Sequence, residues 1–195
     1  LLCRDVSSKY TRRGYEEYRR IAEYIARMSW QKKGNYMIFF PSYKLMEDVF
    51  EVYQEEFSAD WVDCICQQAS MNEREREEFL REFQTQGEKT LLGFCVMGGI
   101  FSEGIDLIGD RLIGVAVVGT GIPQIGCERE ILKEYYDEKG EPGFDYAYRY
   151  PGMNKVLQAA GRVIRTKEDI GVILLMDERF MNREYRTLFP REWSS

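Results

Sequence analysis

The chain has 195 residues, of which 44% are hydrophobic and 31% charged, and its net charge is −6. This length and composition are typical of one globular domain with its own core, so we treat 1–195 as a single domain. No apolar run is long enough to cross a membrane and no signal peptide is recognisable, so no membrane partner is expected. The negative charge argues against nucleic acid, but the acids concentrate in helical stretches such as 72–79, which leaves room for a phosphate-binding groove elsewhere.

Five cysteines and the absence of histidine restrict the chemistry of the chain. An odd number of cysteines without a CxxC pair indicates neither a disulfide framework nor a zinc or iron–sulfur site. Cys64 and Cys66 alternate in an apolar stretch and should face the same side of a strand. We expect buried, reduced thiols and therefore a cytoplasmic protein. Catalytic triads and proton relays that need imidazole are excluded within this chain.

The predicted elements alternate along the chain, beginning with a helix at 10–30 whose apolar residues recur at helical spacing. The pattern then predicts a strand at 36–40, a helix at 43–57, a strand at 61–67, a helix at 72–85, strands at 90–97 and 111–119, helices at 128–138 and 150–165, a strand at 171–177 and a helix at 178–189. Asn72 is expected to cap one helix and Pro151 to lie in the first turn of another. Continuous apolar strands between amphipathic helices predict an α/β fold with a mostly parallel sheet of about five or more strands. Only 121–150, rich in tyrosine, glycine and charge, could project from this body.

Ligands of such folds gather beyond the carboxyl ends of the strands. Three segments are expected there, namely 39–43, 98–107 and 158–165. The chain has no GxxxxGK[ST] motif, so it cannot hold a triphosphate in a P-loop of its own. The sequence GTGIPQIG at 119–126 approaches the dinucleotide fingerprint, but its third glycine is misplaced and Pro123 interrupts the helix start, which argues against a Rossmann oxidoreductase.

The sequence QAAGRVIR at 158–165 places Arg162 and Arg165 three positions apart, on neighbouring parts of one helical face. Two cations this close repel each other unless an anion lies between them. The planar guanidinium bonds two phosphate oxygens at once, so the pair fits the arginine-finger part of a phosphoryl-transfer site. Gln158 could orient or sense the γ-phosphate. The structural alternative is that both arginines pair with the acids at 168–169.

Three blocks of the sequence resemble the XPD/DinG-type branch of superfamily 2 DNA helicases. FFPSYKLME at 39–47 resembles motif IV, FSEGIDL at 101–107 with GDRLIGVAVVGTGIP at 109–123 resembles motif V, and YPGMNKVLQAAGRVIRTKEDIGVILLMDERF at 150–180 resembles motif VI. The similarity extends from Asn35 to the end of the chain. In that family ATP lies between two RecA-like domains, of which the first carries the P-loop and an acidic box and the second carries motifs IV to VI. The resemblance therefore implies the second RecA-like domain, a three-layer sandwich, as a fragment of a longer protein.

The resemblance also implies which residues face the nucleotide and which metal accompanies it. The implied nucleotide-facing residues are Gln158, Arg162 and Arg165 in motif VI, with Glu103, Gly104 and Asp106 in motif V coupling the ATP cleft to the DNA path. Asp106 would reach the nucleotide sugar, although the acids of this loop could instead only satisfy buried backbone. ATP with Mg²⁺ is the expected cofactor, and the ligands of Mg²⁺ are expected in the first domain. The iron–sulfur cysteines of the family also belong to that domain.

The single-stranded DNA path of the family crosses both domains. Ser42, Tyr43 and Ser102 would contact backbone phosphates, which position a strand without reading its sequence. Tyr146 and Tyr148 are candidates for stacking on unpaired bases, from chemistry and position rather than from a motif. Simpler roles remain open: Ser42 as a helix cap, Tyr43 and the other tyrosines as packing.

The sequence thus predicts the second motor domain of an ATP-dependent DNA helicase that moves on single-stranded DNA, and the resemblance implies movement in the 5′→3′ direction. Its expected partners are that DNA and the N-terminal P-loop domain of the same polypeptide, and the isolated chain should be inactive. One alternative is a non-catalytic RecA-like module that binds proteins. Another is the motor half of a helicase fused to an exonuclease.

Overall fold

The computed structural model describes residues 1–84, 87–98, 112–163 and 170–193 of the chain. The described strands are β1 (Leu2–Cys3), β2 (Asn35–Phe40), β3 (Val62–Cys66), β4 (Thr90–Val96), β5 (Gly114–Val118) and β6 (Val172–Met176). The described α-helices are α1 (Tyr15–Trp30), α2 (Tyr43–Glu56), α3 (Glu73–Arg81), α4 (Cys127–Glu138), α5 (Tyr150–Ala160) and α6 (Arg183–Arg186). The sequence does not predict β1, because two residues are too few to show a periodicity.

The six strands form one parallel sheet in the order β1-β6-β5-β2-β4-β3. Parallel pairing requires the chain to cross back over the faces of the sheet, and described helices make the crossings from β1 to β2, from β2 to β3, from β3 to β4 and from β5 to β6. The predicted α/β fold with a mostly parallel sheet of about five or more strands is therefore confirmed. Because the strands point the same way, their ends open on one side, which we call the carboxyl edge, and their starts form the amino edge.

The core has two layers, one on each face of the sheet. In β2 all six residues are buried, and successive side chains alternate between the two faces. Tyr36, Ile38 and Phe40 pack with residues of α1 and α2 on one face. Met37 and Phe39 pack on the other face with residues of α3 and α5 and of the C-terminal segment. Helices, sheet and helices thus form the three layers that the sequence predicts.

Helix boundaries differ from the predicted ones where local turns replace regular helix. The first predicted helix is split, because a 3-10 turn at Tyr10–Arg12 precedes α1. The predicted helix at 178–189 is wrong as one element: a 3-10 turn at Glu178–Met181 and the short α6 are separated by Asn182, whose backbone is extended. Two predicted signals are confirmed, a capping box formed by Asn72 with Glu75 at α3 and a proline in the first turn of α5.

Within 121–150, the helix α4 contributes no buried residue to the core. It is held against a π-helical turn at Asp145–Arg149, which runs directly into α5. Arg129 donates a hydrogen bond of 2.8 Å from Nη1 to the carbonyl oxygen of Ala147. The hydroxyl of Tyr148 donates to the carboxylate of Glu130. These contacts join α4 to the start of α5.

Candidate functional site

The carboxyl edge carries polar side chains and glycines directly after the strands. In sheet order from β6 to β3 they are Asp177 after β6, Gly119, Thr120 and Gly121 after β5, Ser42 and Tyr43 after β2, Gly98 after β4 and Gln67 after β3. Open edges of parallel sheets are where such folds bind ligands.

Tyr43 is held in place by a buried glutamine. Gln67 is 2% exposed, and its Nε2 donates a hydrogen bond of 2.9 Å to the hydroxyl oxygen of Tyr43. Its Oε1 accepts a hydrogen bond of 2.8 Å from the backbone nitrogen of Val96. Burial raises the pKa of Tyr43, so its hydroxyl stays protonated at neutral pH. The sequence did not single out Gln67, because a lone glutamine after a strand carries no motif signal.

Ser42 has the structural role that the sequence left open. Its side chain accepts a hydrogen bond of 3.4 Å from the backbone nitrogen of Leu45, which makes it the N-cap of α2. Capping does not prevent a side chain at the carboxyl edge from meeting a phosphate. DNA contacts by Ser42 and Tyr43 stay predictions.

Glycines let α5 approach the carboxyl edge closely. Gly121 has φ = +66°, and a β-carbon built on it would lie 2.5 Å from the carbonyl oxygen of Gly152. A β-carbon on Gly152 would lie 2.7 Å from the carbonyl oxygen of Thr120. A side chain at either position would therefore push the start of α5 away from the loop after β5. Of the glycines in the rejected dinucleotide motif, Gly121 therefore serves this helix packing.

The end of α5 lies towards the opposite edge of the sheet. Val163 packs close to Gly171, just before β6, and Gly171 lies close to the carbonyl of Ile113, just before β5. The expectation that 158–165 lies beyond the carboxyl ends of the strands is therefore wrong for its described residues. The physical reason is that a helix leading into a parallel strand must run back towards the start of that strand.

Two of the three predicted motif VI side chains are described. Gln158 is exposed in the last turns of α5, and Arg162 is half-buried just after the helix ends at Ala160. The predicted helix at 150–165 thus ends earlier, in a turn in which the backbone nitrogen of Arg162 donates to the carbonyl oxygen of Ala159 at 3.2 Å. The predicted residues Ser102, Glu103, Gly104, Asp106 and Arg165 lie outside the described residues.

The two tyrosines predicted to stack on bases differ in burial. Tyr148 is 2% exposed and its ring stacks on Phe144 at a centroid distance of 5.4 Å, so base stacking by Tyr148 does not fit this packing and that expectation is corrected. Tyr146 is 36% exposed and stacks on Tyr136 at 4.1 Å. One face of Tyr146 is therefore covered, and its contact with a base stays a prediction. A π-helical turn between α4 and α5 buries one ring and exposes the other, which alternation in sequence could not reveal.

A half-buried cation that the sequence did not single out lies near the carboxyl edge. Lys155 is on α5 one turn after Gly152, and a β-carbon built on Gly98 would lie 2.9 Å from its Cε and 3.2 Å from its Nζ. Burial, and then the charge of Arg129, lower the pKa of Lys155. Its place three residues before Gln158 was the only available sequence signal.

A second cation near this edge is fully neutralised. Arg179 donates hydrogen bonds of 2.8 Å from Nε and from Nη2 to the two carboxylate oxygens of Asp177, which is 0% exposed. Burial alone would raise the pKa of Asp177, but the hydrogen bonds and charge of Arg179, with a hydrogen bond from the backbone of Ser8, lower it overall. This network ties the N-terminal segment to the end of β6.

The cysteine prediction is confirmed in part. Cys64 and Cys66 pack against the same core cluster, and burial raises the pKa of their thiols to about 11 and about 12. Cys127, at the start of α4, is exposed and so departs from the expectation of buried thiols. Within the described ranges, no group of three or more His, Cys, Asp or Glu side chains is placed to hold a metal ion. No helix in those ranges has the length and apolar character needed to cross a membrane.

The parallel six-stranded sheet with helices on both faces is the fold of a RecA-like helicase domain. A profile of the family described as "Helicase C-terminal domain" matches residues 25–195, so the chain belongs to that family. Within it, the chain is the C-terminal RecA-like domain of an XPD/DinG-type helicase, as the sequence resemblance implies.

Named relatives are similar over most of this chain. The ATP-dependent DNA helicase XPD of Sulfolobus acidocaldarius is 29% identical over 185 residues, which are 90% of this chain and 30% of that protein. The regulator of telomere elongation helicase 1 homolog of Anopheles gambiae is 31% identical over 164 residues, 76% of this chain and 16% of that protein. The chain thus spans less than a third of the length of these relatives.

Solved structures share the fold. An XPD helicase superposes with a TM-score of 0.76 at 23% identity, covering 95% of this chain and 32% of that one. Domain 2 of the DEAD-box helicase Mss116p, bound to an RNA duplex, superposes with a TM-score of 0.55 at 16% identity, covering 94% and 57%. The RecA-like fold of a second helicase domain is therefore shown.

Proposed function

We propose that this chain is the second motor domain of an ATP-dependent DNA helicase. It completes an ATP site on a P-loop domain of the same polypeptide and moves 5′→3′ along single-stranded DNA. The observation that carries the proposal is α5, one helix that spans two surfaces. Its start packs against the loop after β5 at the carboxyl edge, and Lys155 one turn later lies beside Gly98. Its end carries Gln158, and Arg162 follows in the turn just after the helix, both at the positions of motif VI.

At the end of α5, the residues of this chain supply charge rather than a nucleotide pocket. Arg162 and Arg165 would stabilise the charge that develops on the transferred phosphoryl group, and Gln158 would orient the nucleophile or sense the γ-phosphate. Glu103, Gly104 and Asp106 would couple this cleft to the DNA path. Mg²⁺, which neutralises phosphate charge when bound, would be held by the P-loop domain.

The start of α5 would link the nucleotide to the DNA. Nucleotide binding can favour a closed state of two domains only when it is tighter in that state than in the open one. Arginines that reach the phosphates only on closure provide this difference. Because α5 is one helix, a displacement at its end also displaces its start, which packs against the loop after β5 at the carboxyl edge. The residues expected to touch DNA are Ser42, Tyr43 and Ser102.

ATP hydrolysis by the chain alone and by the full-length helicase tests this proposal. We expect no hydrolysis by the chain, with or without an oligothymidine, and DNA-stimulated hydrolysis when the P-loop domain is present. Turnover by the isolated chain would contradict a shared site. An inactive full-length protein would favour the non-catalytic alternative.

DNA binding by the chain alone provides a second test. We expect weak binding of oligothymidine whose affinity falls steeply with salt, because phosphate contacts release counterions. Sequence-specific binding that is insensitive to salt would contradict a strand-tracking role.

We also propose that the protein works in the cytoplasm. The support is chemical: the described cysteines are free thiols, and burial raises the pKa of Cys3 to about 11, so this thiol resists oxidation. Detection of the protein in an oxidising compartment would contradict this.

A further inference from the structure

Lys155 is a half-buried cation that no charge among the described residues neutralises. Arg129, another cation, is the charge that acts on it, and burial with this repulsion lowers its pKa. Within the described residues, no carboxylate forms an ion pair with Lys155. Holding an ammonium partly out of water beside a second cation costs free energy, so an anion at this position would be strongly favoured.

Lys155 lies beside the end of β4, where a glycine leaves room for its side chain. Gly98, with φ = +70°, has no side chain between its own backbone and the Lys155 ammonium. After β5, Gly121 packs against the backbone of Gly152 in the same helix, and the Thr120 hydroxyl beside it is buried with no hydrogen-bond partner among the described residues. The ends of β4 and β5 thus both lie close to the helix that carries Lys155.

We propose that Lys155, supported by Arg129, is a phosphate-binding residue at the carboxyl edge, and that it positions a backbone phosphate of the single-stranded DNA on which the motor moves. The inference rests on the proposed function, because that function identifies DNA as the source of the phosphate. A lysine ammonium is a compact charge with three donors and suits a phosphodiester that must slide past, because it imposes no fixed bidentate geometry.

The position of Lys155 along α5 favours the DNA strand over the nucleotide. Arg162 follows seven residues later, about 10 Å further along the helix direction at 1.5 Å per residue. The start of α5 is fixed to the carboxyl edge by Gly121 and Gly152, and its end lies by the amino edge next to Gly171. This separation favours two different phosphate groups for Lys155 and for the motif VI arginines.

The test compares Lys155→Met with Lys155→Arg in the full-length helicase. Methionine keeps the half-buried chain and removes the charge, whereas arginine keeps the charge. The matched control is Lys89→Gln, which removes a lysine at the amino edge that pairs with Asp63 at 3.0 Å. Affinity for oligothymidine is measured across a salt series, the KM for ATP is measured at saturating DNA, and the melting temperature monitors folding.

We expect Lys155→Met to bind DNA roughly 5- to 10-fold more weakly at low salt, with the slope of log K against log salt reduced by about 0.7, as for one lost phosphate contact on a single strand. Lys155→Arg and Lys89→Gln should bind like the wild type, and the KM for ATP should not change. A raised KM for ATP with unchanged DNA binding would overturn the assignment to DNA and place the phosphate in the nucleotide. If the wild type is active and Lys155→Met changes neither the affinity for oligothymidine nor the KM for ATP, the phosphate site itself is overturned. An inactive wild type would instead count against the proposed function.

Discussion

Two half-buried cations near the carboxyl edge differ in what surrounds them. Arg179 shares two hydrogen bonds with the buried carboxylate of Asp177 and a third, of 2.8 Å, with the hydroxyl of Ser8. Lys155 has Arg129 as its charged neighbour and lies against the bare backbone of Gly98. The fold satisfies the first charge completely and leaves the second for a ligand. Arg179 therefore stabilises the fold, whereas Lys155 serves the proposed function.

Removal of Asp177 should have the largest effect on stability. Asp177→Ala leaves the guanidinium of Arg179 buried without its counterion, and loss of one partner of a buried pair costs about 3–5 kcal/mol. Urea unfolding of the chain measures this loss as a lower midpoint at unchanged slope. A loss below about 1 kcal/mol would mean that solvent already screens this pair, and the contrast with Lys155 would disappear.

A side chain at Gly121 should have the next largest effect. Gly121→Ala places a β-carbon in a left-handed conformation and against the carbonyl oxygen of Gly152, which should cost about 2–3 kcal/mol. If the start of α5 positions Lys155 for DNA, the same variant also weakens binding to oligothymidine. Thermal unfolding and DNA titration check both effects, with the exposed Gly140→Ala, also at a positive φ but with open space around it, as the control for backbone strain alone. Equal losses of stability in Gly121→Ala and Gly140→Ala would show that the close approach of Gly121 to Gly152 does not contribute.

Low pH should lower the free energy of unfolding through Asp177 by less than these substitutions do. Protonation removes the charge of the carboxylate but leaves the side chain in place. The pKa of Asp177 is lowered in the folded state, so its contribution is fully present above its unfolded value near 4 and is lost as the pH falls through the lower, folded value. The free energy of unfolding should therefore fall below about pH 4, and Asp177→Asn should flatten that fall. An identical pH dependence in the variant would show that other carboxylates cause the acid loss.

Removal of the Lys155 charge should have the smallest effect on stability. Lys155→Met keeps the packing of the side chain and removes a partly desolvated ammonium, so the free energy of unfolding should change by less than about 0.5 kcal/mol or increase slightly. Urea unfolding of Lys155→Met and of Asp177→Ala under the same conditions measures both changes in the free energy of unfolding. A loss of several kcal/mol would make Lys155 a structural cation like Arg179.

Strong periodicity explains which elements the sequence could predict. The bounds predicted for β2 and α2 agree with the structure to within about one residue, because the continuous apolar run of β2 is buried on both faces and the amphipathic α2 buries one face. The cap at Asn72 followed from local hydrogen bonding alone. The location of 158–165 was wrong although topology determines it, since a helix that enters a parallel strand must end near the start of that strand.

The contacts that give side chains their roles depend on long-range packing and could not be predicted. Tyr146 and Tyr148 look equivalent in sequence, yet one stacks on Tyr136 at the surface and the other is buried. Lys155 and Gly98 are far apart in the chain and meet only because α5 packs beside β4 and β5. Motif spacing identified Gln158 and Arg162, whereas no motif marked Lys155.

The most direct test of a shared ATP site is the hydrolysis rate of Arg165→Ala in the full-length helicase, measured together with its affinity for ATP. The control is Arg74→Ala, which removes an exposed arginine on α3 that pairs with Glu78. We expect hydrolysis by Arg165→Ala to fall by about 10³-fold or more while much of the ATP binding remains, because an arginine finger acts mainly on the transition state. Normal turnover in Arg165→Ala would contradict the account.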